Sequence, residues 1–192
     1  MDHGLRYELA AVLGRPAVLQ TLARALGRGT VVPLEAVGIG LLPITADVAR
    51  AATAAAMCAF APSGPDPLPG GSAGAVVRRV ALLSGPESGF DRMTPGLAAL
   101  VEAASVPDRL AYVEADYMAR DGRQSSAVWR EGRLVTGPLL LGPTEQFVAR
   151  DAPIAVALRA LGVMARGRRD GFLVAGLDRF RSTEDWCRQG GR

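Results

Sequence analysis

Ala111–Trp129, AYVEADYMARDGRQSSAVW, decides how the rest of the chain is read. Across LAYVEADY, Ala111, Val113, Ala115 and Tyr117 alternate with Tyr112, Glu114 and Asp116, the period-two pattern of a half-exposed strand. Such a strand gathers Tyr112, Glu114 and Asp116 on one side, with side-chain roots roughly 6 to 7 Å apart. SSAVW and RLVTGPLLL follow, and Glu131 and Gly132 join them as a tight hairpin requires. A three-stranded antiparallel meander is therefore predicted.

Upstream, LRYELAAVLG (Leu5 to Gly14) has strand length, and Pro16 suits the first turn of a helix bearing Val18, Leu19, Leu22 and Leu26 at helical spacing. TVVPL (Thr30 to Leu34) and VGIGLLPI (Val37 to Ile44) read as short strands, each with a proline that suits an edge or a strand end. Thr45 caps a helix from Ala46 to Ala59, with Asp47 favouring its positive end. Residues 61–74, APSGPDPLPGGSAG, are too rich in proline and glycine for regular structure and predict a flexible loop or lid. AVVRRVALL (Ala75 to Leu83) fits helix or strand and is read as helix.

Thr94 and Pro95 begin a further helix that ends before Pro107. Beyond the meander, Asp151 and Pro153 start a helix that Gly162 terminates, and Ser182 precedes Asp185 by three residues as a cap for a last helical turn. The expected fold is α/β of the α+β kind: one domain over residues 1–192, with a mixed, mainly antiparallel sheet, a C-terminal three-stranded meander and helices packed on one face.

Apolar residues make up 49% of the 192, yet no run approaches the roughly 18 to 20 consecutive apolar positions of a membrane span. The start, MDHGLRYELAAVLG, lacks the ordered basic, apolar and small-residue regions of an export signal, so the cytoplasm is expected. Cys58 and Cys187 stand 129 positions apart, too dispersed for a disulfide scaffold or zinc site. All 22 basic residues are arginine, and the net charge of +3 is C-terminal: the last 42 residues hold eight arginines against five acids. Without interleaved aromatics or a nucleic-acid module, nucleic acid is not an expected partner.

Two carboxylates spaced like Glu114 and Asp116 suit acid and base work or a divalent cation. The first use needs neighbours that separate their pKa values, and none is visible. The second needs further converging ligands, and His3, near the terminus, is the only histidine. VGIG lacks the third glycine of a dinucleotide fingerprint, and PGGSAG lacks the Lys and hydroxyl residue of a phosphate loop. No catalytic residue, metal ligand or cofactor is assigned. GLDRFRSTEDW (Gly176 to Trp186) brings together arginine, carboxylate and tryptophan, residue types enriched where partners bind. Arg179 or Arg181 paired with Glu114 or Asp116 over Trp186 would instead form a clasp that closes the tail over the meander.

TVVPL followed by GLLPIT, AYVEADY with Gly122 and Gln124, AVW, the ALRALGV helix and GLDRFRSTEDW resemble an uncharacterised, mostly actinobacterial protein family. The likeness spans most of the chain apart from 61–74 and implies no established activity. Where the family pattern has a Phe-Gly-Gly turn this chain has Met118, Ala119 and Arg120, and Phe180 stands where the family often has histidine. Phe180 cannot move a proton.

Two functions are expected. The first is a non-enzymatic binding protein, of immunity or inhibitor type, meeting a protein partner through Tyr112, Glu114, Asp116, Gln124, Arg179, Arg181 and Trp186. The second is a small enzyme or ligand-binding domain in which Glu114 and Asp116 line a pocket covered by the 61–74 loop, with a concave site and a perturbed carboxylate beside Glu114.

Overall fold

Turn chemistry sets the elements along the chain. The structure is a computed structural model that describes residues 6–34, 38–59, 88–118, 121–167 and 169–189. Strand β1 (Arg6–Gly14) gives way to α1 (Pro16–Ala25), whose first-turn proline supplies a helical φ and needs no N–H partner. Leu19, Leu22 and Leu26 bury one side of that helix. β2 (Val32–Leu34) and β3 (Ile39–Pro43) pair antiparallel, with Pro33 tolerated because β2 lies at the sheet edge. Thr45 Oγ1 accepts the Val48 N–H at 3.3 Å and opens α2 (Ala46–Ala59).

Thr94 Oγ1 accepts the Leu97 N–H at 3.1 Å and opens α3 (Pro95–Ala104). Gly96 lets α3 lie directly on α2, because a Cβ there would come within 2.6 Å of the Ala52 carbonyl oxygen. The meander follows as β4 (Leu110–Met118), β5 (Asp121–Arg130) and β6 (Arg133–Leu141). Glu131 at φ 54° and Gly132 at φ 68° form the left-handed pair that suits a two-residue hairpin. The chain closes with α4 (Pro153–Ala160), α5 (Gly171–Ala175), a 3-10 turn (Leu177–Arg179) and α6 (Thr183–Gln189), which Ser182 caps through the Asp185 N–H at 3.1 Å. The expected loop over 61–74, the helix over 75–83, His3 and the Cys58 side chain lie outside the described residues.

The six strands among the described residues join one sheet in the order β2-β3-β1-β4-β5-β6, and every neighbouring pair is antiparallel. The fold is α+β, with the meander in place. Helices cover both faces of the sheet, which corrects the expectation of one. Ala10, Val12 and Tyr112 face α1, α2 and α3, whereas Leu9, Ala11, Leu13 and Val113 face α4, α5 and α6. The physical reason is the unbroken apolar run of β1 from Leu9 to Leu13, which has no side to give to water. Among the described residues no helix is long and apolar enough to cross a membrane.

β3 pairs only with Ala11 to Gly14 of β1, so the edge from Arg6 to Ala10 needs another cover. The tail supplies it. The Glu8 N–H donates to the Arg181 carbonyl at 2.8 Å and the buried Ala10 N–H to Thr183 Oγ1 at 2.9 Å. Tyr7 adds its hydroxyl to the Leu177 carbonyl at 3.0 Å, and Trp186 sits fully buried in the core beneath α4 and α5. Thr183→Val keeps the shape but orphans the Ala10 N–H, a loss of about 1–3 kcal/mol. Urea unfolding should show that loss while Thr183→Ser stays near wild type; equal midpoints for Thr183→Val and wild type would remove the tail from the stability of β1.

Candidate functional site

The alternation expected in β4 is present, but its polar side faces inward. Tyr112 is 0% exposed and Glu114 8%, while Asp116 is half-buried near the strand end. This corrects the exposed strip: β1 and β5 flank β4, and the segment ahead of α3 lies over this face. Glu114 holds that segment. Its Oε2 accepts the Asp91 N–H at 2.6 Å, and its Oε1 accepts the Arg92 N–H at 2.8 Å and the Tyr112 hydroxyl at 2.5 Å. Phe90 packs edge-on against Tyr112 with ring centroids 5.3 Å apart, and Ser125 donates to the Gly89 carbonyl.

Burial pushes the Glu114 carboxyl above the ordinary glutamate range; the Tyr112 hydrogen bond and the Arg92 N–H and guanidinium oppose that rise. Burial and then the Glu114 charge raise the Tyr112 phenol. Beside Glu114 lies a cavity of about 130 Å³, so the concavity expected there exists. Its charges are matched internally: Arg92 pairs with Glu8, Arg123 with Asp91, and Arg6 with Asp116 at 3.4 Å. Arg92 also donates to the Ile44 carbonyl at 3.0 Å, so this cluster joins β1, β3's end, the loop and β4.

Gln124 falls on the opposite face. It pairs with Ala115 across the β4–β5 ladder, so it shares the side of Val113 and Tyr117, whereas Ser125 shares that of Glu114. Gln124 Oε1 accepts the Ile154 N–H at 3.2 Å, and Ser126 donates to the Pro153 carbonyl at 2.7 Å. Together they anchor the start of α4. Asp151 is therefore not its cap: the cap position is Ala152, without a side-chain hydrogen bond, and Gln124 satisfies a first-turn N–H instead.

Above Gln124 opens a second cavity, of about 530 Å³. Tyr7, Tyr117, Phe147 and Phe172 supply aromatic walls, and Ala152, Ile154 and Ala155 an aliphatic floor. Gly122 makes room for the Tyr117 ring, because a Cβ there would come within 2.2 Å of it. Phe172 meets Tyr7 edge-on with centroids 5.6 Å apart. Asp170, Asp178 and Arg181 complete the lining. The Tyr117 hydroxyl is buried without a well-formed hydrogen bond among the described residues, although Gln124 lies close enough to oppose the rise that burial gives its phenol.

The structure thus distributes the seven expected site residues. Glu114 and Asp116 line the polar cavity, Gln124 and Arg181 the aromatic one, and Tyr112 and Trp186 belong to opposite cores. Arg179 is exposed and lies over the Phe180 ring at 5.6 Å, with Phe180 edge-on to Trp186 at 4.7 Å. The tail does clasp the body, but through main-chain groups and Thr183, since Glu114 is held by the Asp91 and Arg92 N–H groups and Asp116 by Arg6. Cys187 is a half-buried free thiol, raised by burial and then by Glu184.

Sequence reasoning missed Tyr7, Tyr117, Phe147, Phe172, Asp170 and Asp178 as lining residues. Gly122 and Gln124 were the available signal, since a strand glycine marks close approach of another group. No family model matches the chain, and neither a curated protein nor a solved structure matches it.

Glu114→Ala should cost about 1–3 kcal/mol, because two part-buried N–H groups and the buried Tyr112 hydroxyl lose their acceptor. Asp116→Ala should cost under about 1 kcal/mol, as its ion pair is solvent-screened. Amide exchange at Asp91 and Arg92 is the check: faster in Glu114→Ala and unchanged in Asp116→Ala. Unchanged exchange in both variants would show that the carboxylate does not hold the loop.

Proposed function

We propose that the protein is a small-ligand-binding domain whose site is the aromatic cavity over Gln124. The concentration of rings carries this reading. The chain has three tyrosines, five phenylalanines and two tryptophans, and four of those ten side chains line this one cavity. At about 530 Å³, largely apolar with few polar groups, it resembles the pockets of roughly 300–1,000 Å³ that take small molecules.

This adopts the second expectation and moves it to the other face of the sheet. A protein partner of immunity or inhibitor type rested on one continuous strip, and its seven residues fall on two faces and in two cores. The polar cavity beside Glu114, at about 130 Å³, has room for a few waters at roughly 30 Å³ each and holds internally paired charges. Binding is favoured over catalysis because Ser125 and Ser126 both spend their hydroxyls on backbone carbonyls. Two dispersed cysteines suit a reducing compartment such as the cytoplasm.

Titration with benzyl alcohol, a neutral aromatic probe, followed by amide NMR is the test. Saturable shifts are expected at Tyr117, Gln124, Ile154 and Phe172. Ala155→Trp, which fills the floor, should abolish them without changing the far-UV circular dichroism. Shifts centred on Glu114, or an unaltered response in Ala155→Trp, would overturn the assignment.

A further inference from the structure

Resting on that reading, we infer that the aromatic cavity selects an organic cation: an ammonium group, primary or quaternary, on a small apolar body. Aromatic faces carry negative potential, and rings set around one space are the usual means of holding an ammonium group without dehydrating it against a single counterion. Tyr7, Tyr117, Phe147 and Phe172 provide four such rings. Two of them are fixed in place: the Tyr7 hydroxyl is tied to the Leu177 carbonyl at 3.0 Å, and Tyr117 lies in the space left by Gly122.

The charges at the rim agree. Asp170 and Asp178 face one guanidinium, Arg181, a formal balance of one negative charge. Asp170 Oδ1 accepts the Leu173 N–H at 2.9 Å as the cap of α5. Burial and then Asp178 raise the Tyr7 phenol, while Arg181 lowers it. Phe147, 54% exposed, stands on the loop ahead of α4, where a ligand enters from solvent. The neighbouring polar cavity offers nothing comparable, because its arginines and carboxylates are already paired.

Three probes of one shape separate charge from size: choline as cation, 3,3-dimethylbutan-1-ol as its neutral isostere, and 3,3-dimethylbutanoate as anion. In amide NMR titrations of the full chain, choline should bind about fivefold or more tighter than the alcohol, with the anion weakest. Asp178→Asn, at an exposed position, should weaken choline about threefold and leave the alcohol unchanged. Phe172→Leu keeps an apolar wall and should erase most of the preference for the cation. Equal binding of choline and the alcohol, or tighter binding of the anion, would overturn the ligand class while leaving the pocket in place. Binding of benzyl alcohol with no response to any of the three would do the same, whereas silence from all four probes would overturn the pocket as well.

Discussion

The burial of β4 on both faces is the constraint from which the rest follows. With β1 and β5 on its edges and helices above and below, the polar groups of Tyr112 and Glu114 have to be satisfied from within the chain. Glu114 meets this by accepting two consecutive backbone N–H groups and a phenol hydroxyl. A buried carboxylate so engaged stabilises the fold only while all its partners stay in place. The segment carrying Asp91 and Arg92 is consequently fixed, and with it Thr94 and the start of α3. The polar strip that looks like a recognition surface in the sequence is the internal joint between a strand and a helix.

Local signals were legible where chemistry acts within a few residues. Thr45, Thr94 and Ser182 cap the helices they were expected to cap, and Glu131 with Gly132 turns the hairpin. The period of β4 was also readable. What alternation cannot convey is what lies above each side, since a half-exposed strand and a central strand with satisfied polar groups share the same pattern. The continuous run of β1 from Leu9 to Leu13 held the missing information: a strand buried on both faces needs two helical layers, and its neighbour β4 inherits both. The cap of α4 failed to be read for a related reason, because its N–H partner is Gln124, 30 residues away.

Register explains why the expected site divides. Glu114 stands opposite Ser125 and Ala115 opposite Gln124, so a one-residue step along β5 crosses the sheet. The result is two cavities back to back at the same end of the β1–β4–β5 ladder, one polar and one aromatic. The tail binds both sides of this end. Its main chain covers the edge of β1, Glu184 lies 3.6 Å from Arg92 on the polar side, and Asp178 and Arg181 reach the aromatic side. The lining of the aromatic cavity is thereby linked in structure to the packing of α6.

The size of the aromatic cavity is itself an argument about its contents. As a dry void, at roughly 24 cal/mol per Å³, about 530 Å³ would cost on the order of 10 kcal/mol, comparable to the whole stability of a domain, but this cavity opens to solvent beside the exposed Phe147. Collapse would remove that cost if the walls were free to move. Several are not: Tyr7 is tied to Leu177, α4 is held at its start by Gln124 and Ser126, and Ala152 and Ala155 on the floor are too short to fill the space. Water that enters such a space meets four aromatic rings, with which it makes poor hydrogen bonds. Displacing such water is favourable for any solute that presents apolar surface to the rings. A wall held open against packing, around water that gains by leaving, is what the proposed binding site requires.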